Sequence, residues 1–585
     1  MHTINIMKKT LLSIIVLISA LCASAQTDIV PGGQFKDRIL PMQGSMVRDS
    51  SRPVWGASGV QGRLLDNGAE PLSTLEGKAV TNYWGGNIVK DADGKYHLFV
   101  AAWDGITYSF RRWAQSDVYH LVSDNVYGPY SFTQNYLIGK GHNPTIYLTD
   151  DGTYVLYVIW NNSEVSSFQS KSLNGPWKGV PLEFNLRDRN LNGGKAGYSN
   201  CTFCRRDDGS FLCISRGGVI WVSRDGKSPY QAICDERAYP KNIKGAFEDP
   251  VMWYDGYQYH HIVNDYKTSV AYYSRSIDGV HWICEQGRAY DPNVAVHPDG
   301  TTEKWWKFER PRIFQDDSGR AIQMNMAVLD VKKTEKDERT DGAVCTEGYD
   351  DANDIHSTKN IMMPLNPGLL LEVVNTKKIT TSTSRIMVRV KAEKGFCPAT
   401  DLDISSLRFG SYSTVNMGGG AQVVSTKTDG DDLILTFNGK DSGLTDDEFA
   451  PKMIGRYAAG YVNPATPTAQ KGGMCFGYAK LSYISRNKAY LSPLRPQVSA
   501  DSKVVAVHVD NYGLSSSDKN TKVVVTDGKR TLATGILPAL APYASEDVSL
   551  TPSSAISPDT KKLVVSFYNG KEKVEEASFA IGEKK

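Results

Sequence analysis

"KDADGKYHLFVAAW" (90–103) turns sharply at Asp-Ala-Asp-Gly and then runs into an apolar, aromatic-rich strand. Glycine supplies the positive φ that a tight hairpin demands, and the residues after it alternate as a half-buried strand does. The same arrangement recurs in "TDDGTYVLYVIW" (149–160), "RDDGSFLCISRG" (206–217), "WYDGYQYHHIVND" (253–265) and "QDDSGRAIQMNMAV" (315–328). Most are preceded by a short strand near a proline, as in "HNPTIYL", "FEDPVMW" and "ERPRIFQ". Turns every ~50–60 residues, with no helical periodicity between them, predict a β-propeller rather than a sandwich. The turns count at least five blades, and residues 27–80 and 355–375 leave material for one or two more.

The flanks of this region differ from it. "MKKTLLSIIVLISALCASA" (7–25) has basic Lys8 and Lys9, an apolar run and an Ala-Ser-Ala ending, so residues 1–25 are expected to be a signal peptide. Leu21 before Cys22 is too large for lipoprotein cleavage. The expected location is the periplasm, the exterior or the cell surface. No other stretch approaches the ~20 apolar residues of a membrane span. After "HSTKNIMMPLNPGLLLEVVN" (356–375), short alternating strands such as "SRIMVRVKA", "DDLILTFNG" and "KKLVVSFYNG" predict two further all-β units. The expected domains are a propeller over 26–375, a β-sandwich over 378–495 and an immunoglobulin-like β-sandwich over 496–585.

A formal net charge of +2 over 585 residues gives no field to recruit nucleic acid. The eight cysteines that follow the signal region are too sparse for a disulfide framework in so long a chain. Cys201 and Cys204 form a lone CxxC, and on a strand they point to opposite faces, which argues against a metal or redox pair.

Ten histidines are present, and two sit at the ends of neighbouring strand-like runs. His142 in "IGKGHNPTIY" (138–147) precedes a proline that cannot continue a central ladder, so it marks a strand entry. His120 in "DVYHLVSDN" (117–125) precedes a turn-rich exit. Two imidazoles there would serve as base and orienter, or else pack as a structural pair. His97, inside its strand, reads as a packed residue. In "AGYSNCTFCRRDDGSFLCISRGG" (196–218) a hairpin should bring Tyr198 and Arg216 to the same end. These groups suit β-elimination from a uronate. Arginine neutralises the carboxylate, histidine takes the C5 proton and tyrosine protonates the departing oxygen. The competing chemistry is hydrolysis, which needs two carboxyl groups, with Asp104, Glu248, Asp249 and Glu309 as candidates. Against it, Asn87 and Asn143 stand where family 43 glycoside hydrolases would supply aspartates.

"WGGNIVKDADGKYHLF", "YHLVSDNVYGPYSF", "GHNPTIY", "FEDPVMWYDGYQYHHIVNDY", "WWKFERPRIFQDDSGRA" and "HSTKNIMMPL" together resemble the catalytic domain of ulvan lyases, polysaccharide lyase families 24 and 25. The resemblance spans about residues 80–367. It implies seven blades and elimination at a rhamnose–uronate linkage, leaving an unsaturated uronate. It further implies His120 as base, Tyr198 as acid, Arg216 on the uronate and His142 as a second active-site histidine. Asn143, Asn87, Trp84 and Arg310 are the expected substrate-binding residues. Elimination requires no cofactor. A structural calcium or zinc ion is a further expectation, with His260 and His261 as candidate ligands. The expected partner is an acidic polysaccharide or oligosaccharide, with the tail domains touching glycan or another surface protein. The rivals are a family 43-like propeller hydrolase and a non-catalytic glycan-binding surface protein.

Overall fold

The computed structural model describes residues 29–42, most of 73–329 and most of 358–580. The expected signal peptide and Asp104 lie outside the described residues. Five antiparallel sheets follow one another along the chain. Blade 1 holds Asn82–Lys90, Tyr96–Trp103, Asp117–Ser123 and Ser131–Phe132. Blade 2 runs from Gly141–Leu148 to Lys178–Val180, and blade 3 from Thr202–Arg205 to Tyr230–Arg237. Blade 4 runs from Phe247–Tyr254 to Ile283–Cys284. Blade 5 comprises Lys307–Gln315, Ala321–Leu329 and Lys359–Pro364. The N-terminal segment completes blade 5 from outside, with Ile39 bridging Leu365 and the Leu40 amide donating to Pro364 O at 2.9 Å.

These five close a ring. Asn87 of blade 1 accepts from the Ile146 amide of blade 2 at 2.7 Å, and Thr202 of blade 3 accepts from the Met252 amide of blade 4 at 3.0 Å. Asn325 of blade 5 donates to Gly86 O of blade 1 at 3.0 Å. Because blades 5 and 1 are bonded neighbours, nothing can stand between them. The seven blades implied by the lyase resemblance are therefore corrected to the five that the turns mark. Segment 355–375 supplies the third strand of blade 5 rather than a blade of its own.

The first tail unit is a closed barrel, not a sandwich. Leu371–Val373 pairs antiparallel with Arg385–Val390 and parallel with Met474–Leu481, which joins the two edges of the sheet. The last unit is an eight-stranded sheet from Leu491–Pro493 to Glu572–Ala580 that wraps one core, where Val505, Val507, Val523, Val525 and Phe567 are buried. Its first strand begins before the boundary expected at 496. Both units are bonded to the propeller. Arg187 pairs with Asp510, Arg206 donates to Tyr512 O at 3.0 Å, and fully buried Arg275 reaches Ala450 O at 3.3 Å. The seven described cysteines are all free.

Candidate active site at the propeller axis

The innermost strand of each blade starts at the same end of the ring with a short recurring segment. These are Trp84-Gly85-Gly86-Asn87, His142-Asn143-Pro144-Thr145, Ser199-Asn200-Cys201-Thr202, Glu248-Asp249-Pro250-Val251 and Glu309-Arg310-Pro311-Arg312. In all five the second residue is left-handed, with φ of 57° at Gly85, 52° at Asn143, 54° at Asn200 and Asp249, and 58° at Arg310. Four of these positions lie at register shifts of the strand pairing. Such a bulge re-aims the side chain and leaves the next residue outside the ladder, where proline is tolerated.

The left-handed residues form a buried polar circle. Asp249, fully buried, accepts from Arg310 Nη1 at 2.6 Å and from Asn200 Nδ2 at 2.9 Å. Asn143 lies 3.2 Å from the Asn200 amide and within 3.0 Å of Arg310 Nη2, whose proton its amide oxygen is placed to accept. The fifth position is Gly85, where a Cβ would meet the Arg310 stem at 3.5 Å. That is ordinary contact, so it is the left-handed φ of 57° that favours glycine there.

Three of the residues preceding this circle, His142, Glu248 and Glu309, are titratable. Glu248 meets Arg216 Nη2 of blade 3 at 2.6 Å, and Glu309 meets Lys307 Nζ at 2.7 Å. Burial, then the neighbouring Asp249, push the Glu248 carboxyl up to about 7, with Glu309 adding to the effect. Arg310 and Arg216 pull the other way. The Arg216 side chain is 48% exposed, so water screens its pull, and burial prevails. Oxygens of Glu248, Asp249 and Glu309 lie within 4.8 Å of one another, close enough to hold a metal ion. Each already faces its own cation, so a metal would have to compete with Arg216, Arg310 or Lys307.

His142, just before the circle, is 3% exposed and lies against Trp113 with ring centroids 4.3 Å apart. Burial, and then Arg310, lower it to about 4, which keeps the imidazole neutral. At one end of blade 3 the Arg216 amide donates to Ser199 O at 3.0 Å, while the Arg216 side chain turns to Glu248. Tyr198 is partly exposed and packs on Phe184 and Trp221. Trp84 is buried with Trp103, Ala327 and Leu329, and Asn87 stitches blade 1 to blade 2.

His120 lies elsewhere. Its ring stacks on Phe99 at 4.6 Å and its Nε2 is 2.8 Å from His97 Nδ1, while His97 Nε2 meets Asp91 at 2.9 Å. This file runs through blade 1 toward its far end, and burial, then His97, lower His120 to about 4. His260 and His261 cannot share a metal, because adjacent residues of strand Tyr259–Asp265 face opposite sides. His260 bonds Asp255 and Tyr273, whereas His261 packs between Tyr239 and Trp282. The sequence reading missed Asn200 and Lys307. "SNCT" gave a weak cue by sharing its second and fourth residues with "HNPT".

No family model matches the chain, and no curated protein matches it. Among solved structures, a family 117 glycoside hydrolase of the marine bacterium Zobellia galactanivorans is 11% identical, covering 51% of this chain and 88% of its own, with a TM-score of 0.35. An endo-arabinase of Bacteroides thetaiotaomicron is 13% identical over 51% of this chain and 97% of its own, with a TM-score of 0.30. A GH43 protein of Bacillus licheniformis is 9% identical over 85% and 89%, with a TM-score of 0.32. At such identities and scores, the reading of the site rests on its own geometry.

Proposed function

We propose that the protein is a glycan-cleaving enzyme that hydrolyses glycosidic bonds at the axial mouth, with Glu248 as general acid and Glu309 as the opposing carboxylate. The observation that carries this reading is a buried carboxyl pair in which Glu248 is pushed to about 7. A proton held there at neutral pH is what a departing glycosidic oxygen needs. Lys307 sets a positive charge against Glu309 and orients it. Oxygens within 4.8 Å come nearer to the ~5–5.5 Å of retaining pairs than to the ~6.5–9.5 Å of inverting ones. Glu309 then attacks the anomeric carbon, and Glu248, having given its proton, activates the water that releases the sugar. Trp306 and Tyr266, both exposed near strand ends on this side, are positioned to meet a glycan. The signal-like residues 1–25 support an exported enzyme.

A second reading keeps β-elimination at a uronate, supported by the Arg216 side chain at the mouth and by Tyr198 lying next to Ser199, which the Arg216 amide bonds. It would have to find its base in His142, because His120 is packed inside blade 1. Incubation with uronate-bearing and neutral polysaccharides separates the two. Hydrolysis gives new reducing ends without the ultraviolet absorbance of an unsaturated uronate, and elimination gives both.

A further inference from the structure

Opposite the mouth, a pocket of about 390 Å³ opens where the propeller meets the barrel. Its walls are the N-terminal turn Phe35–Arg38, the blade 4 turn at Asp255–Tyr257, linker residues 365–371 and the barrel strand Met474–Leu481. Arg38 is 9% exposed, and its guanidinium lies 3.9 Å from the Phe476 ring centroid, 4.7 Å from Phe35 and 5.3 Å from Tyr273. Rings around the guanidinium leave its in-plane N–H groups as the polar edge. Among the described residues its one side-chain hydrogen bond is Nη2 to Tyr478 Oη at 3.0 Å, and no carboxylate pairs with it.

The nearby carboxylates are already engaged. Asp255 is bonded to His260 at 2.9 Å, and Glu285 to Arg275 at 2.5 Å and Lys452 at 3.3 Å. Of the charged residues that line the pocket, Arg38, Lys391 and Lys480 have no ion-pair partner among the described residues, whereas Asp255, Glu372 and Arg320 are each engaged. The Arg38 N–H groups that make no bond within the protein are not sealed from solvent, so water reaches them in the pocket and a ligand can replace it.

We propose that this pocket binds a small organic carboxylate, which takes the free N–H groups of Arg38 and lays an apolar body against Phe35, Trp253, Leu369 and Leu371. The planar fork matches a carboxylate edge to edge, and a negative charge suits the unpaired cations of the lining. A phosphate dianion would leave the apolar wall uncovered.

Benzoate is a suitable probe, titrated calorimetrically into the full-length protein. Saturable one-site binding with Kd below about 1 mM is expected, and benzyl alcohol and inorganic phosphate should each bind at least about tenfold more weakly. Arg38→Met should weaken benzoate at least about tenfold. Arg38 also anchors Tyr478, so Leu370→Trp serves as a second variant. It narrows the pocket from a half-buried position, keeps Arg38 and should also abolish binding, with circular dichroism confirming the fold. The proposal is overturned if benzoate does not saturate, if benzyl alcohol or phosphate binds as well, or if the folded Leu370→Trp variant binds benzoate normally.

Discussion

Arg216 and Glu248, on neighbouring blades, face each other at 2.6 Å across the lip of the mouth. The contact joins a half-exposed cation to a nearly buried carboxyl, so it tempers the acid without fixing its charge. Removing the cation should let burial act more strongly, with Arg310 alone still opposing it. Arg216→Ala is therefore expected to move the alkaline limb of the pH–kcat profile to higher pH and to lower the maximum rate about tenfold through lost positioning. An unchanged limb would detach Arg216 from the proton donor.

The raised Glu248 carboxyl also makes stability depend on pH. Its folded value, about 7, lies above the ordinary 4.5, so the folded chain holds a proton that the unfolded chain has released. That contribution is full below about pH 4.5 and is lost as pH rises through about 7. Glu248→Gln keeps the neutral shape. Thermal melts should show it gaining on the parent between pH 5 and 8, and a parallel pair of curves would contradict the burial argument.

Asp249→Asn tests the axial circle. It leaves the Arg310 guanidinium buried without its counter-charge, and loss of one partner of such a pair costs about 3–5 kcal/mol. Arg310→Met added to Asp249→Asn should recover part of that loss, since position 310 then carries no charge that needs a partner. Chemical denaturation of the two variants and the parent measures both effects.

His120→Gln separates the packed histidine from a catalytic one. The change disturbs the file Asp91–His97–His120 and should cost about 1–3 kcal/mol of stability while leaving turnover of the folded fraction within about threefold. Loss of turnover with an unchanged melting temperature would restore His120 as the base of an elimination.

The propeller was legible because its turns are local. Asp and Gly placed ahead of an apolar run report a hairpin wherever they fall, and their spacing counted five blades. The axial circle was only partly legible. Pro144, Pro250 and Pro311 flagged three of its segments, but the left-handed position itself is filled by Gly, Asn, Asn, Asp and Arg, which share no composition. Their common feature is a backbone angle. His120 misled because a strand's end and its middle look alike when the partner strand is unknown; its ring stacks on Phe99, which packs with Ile146 and Leu156 of blade 2. Barrel closure was hidden for a related reason, since Leu371 pairs with Ala479 across more than a hundred intervening residues.

The most direct test of the account is the rate of Glu248→Gln on whichever glycan the parent cleaves, set beside its rate on an activated aryl glycoside of the same sugar. The account predicts a loss of about 10²–10⁴-fold on the glycan, because its poor leaving group needs the proton, and a far smaller loss on the aryl glycoside, which does not. Equal activity of variant and parent on the glycan, or products carrying an unsaturated uronate, would contradict it.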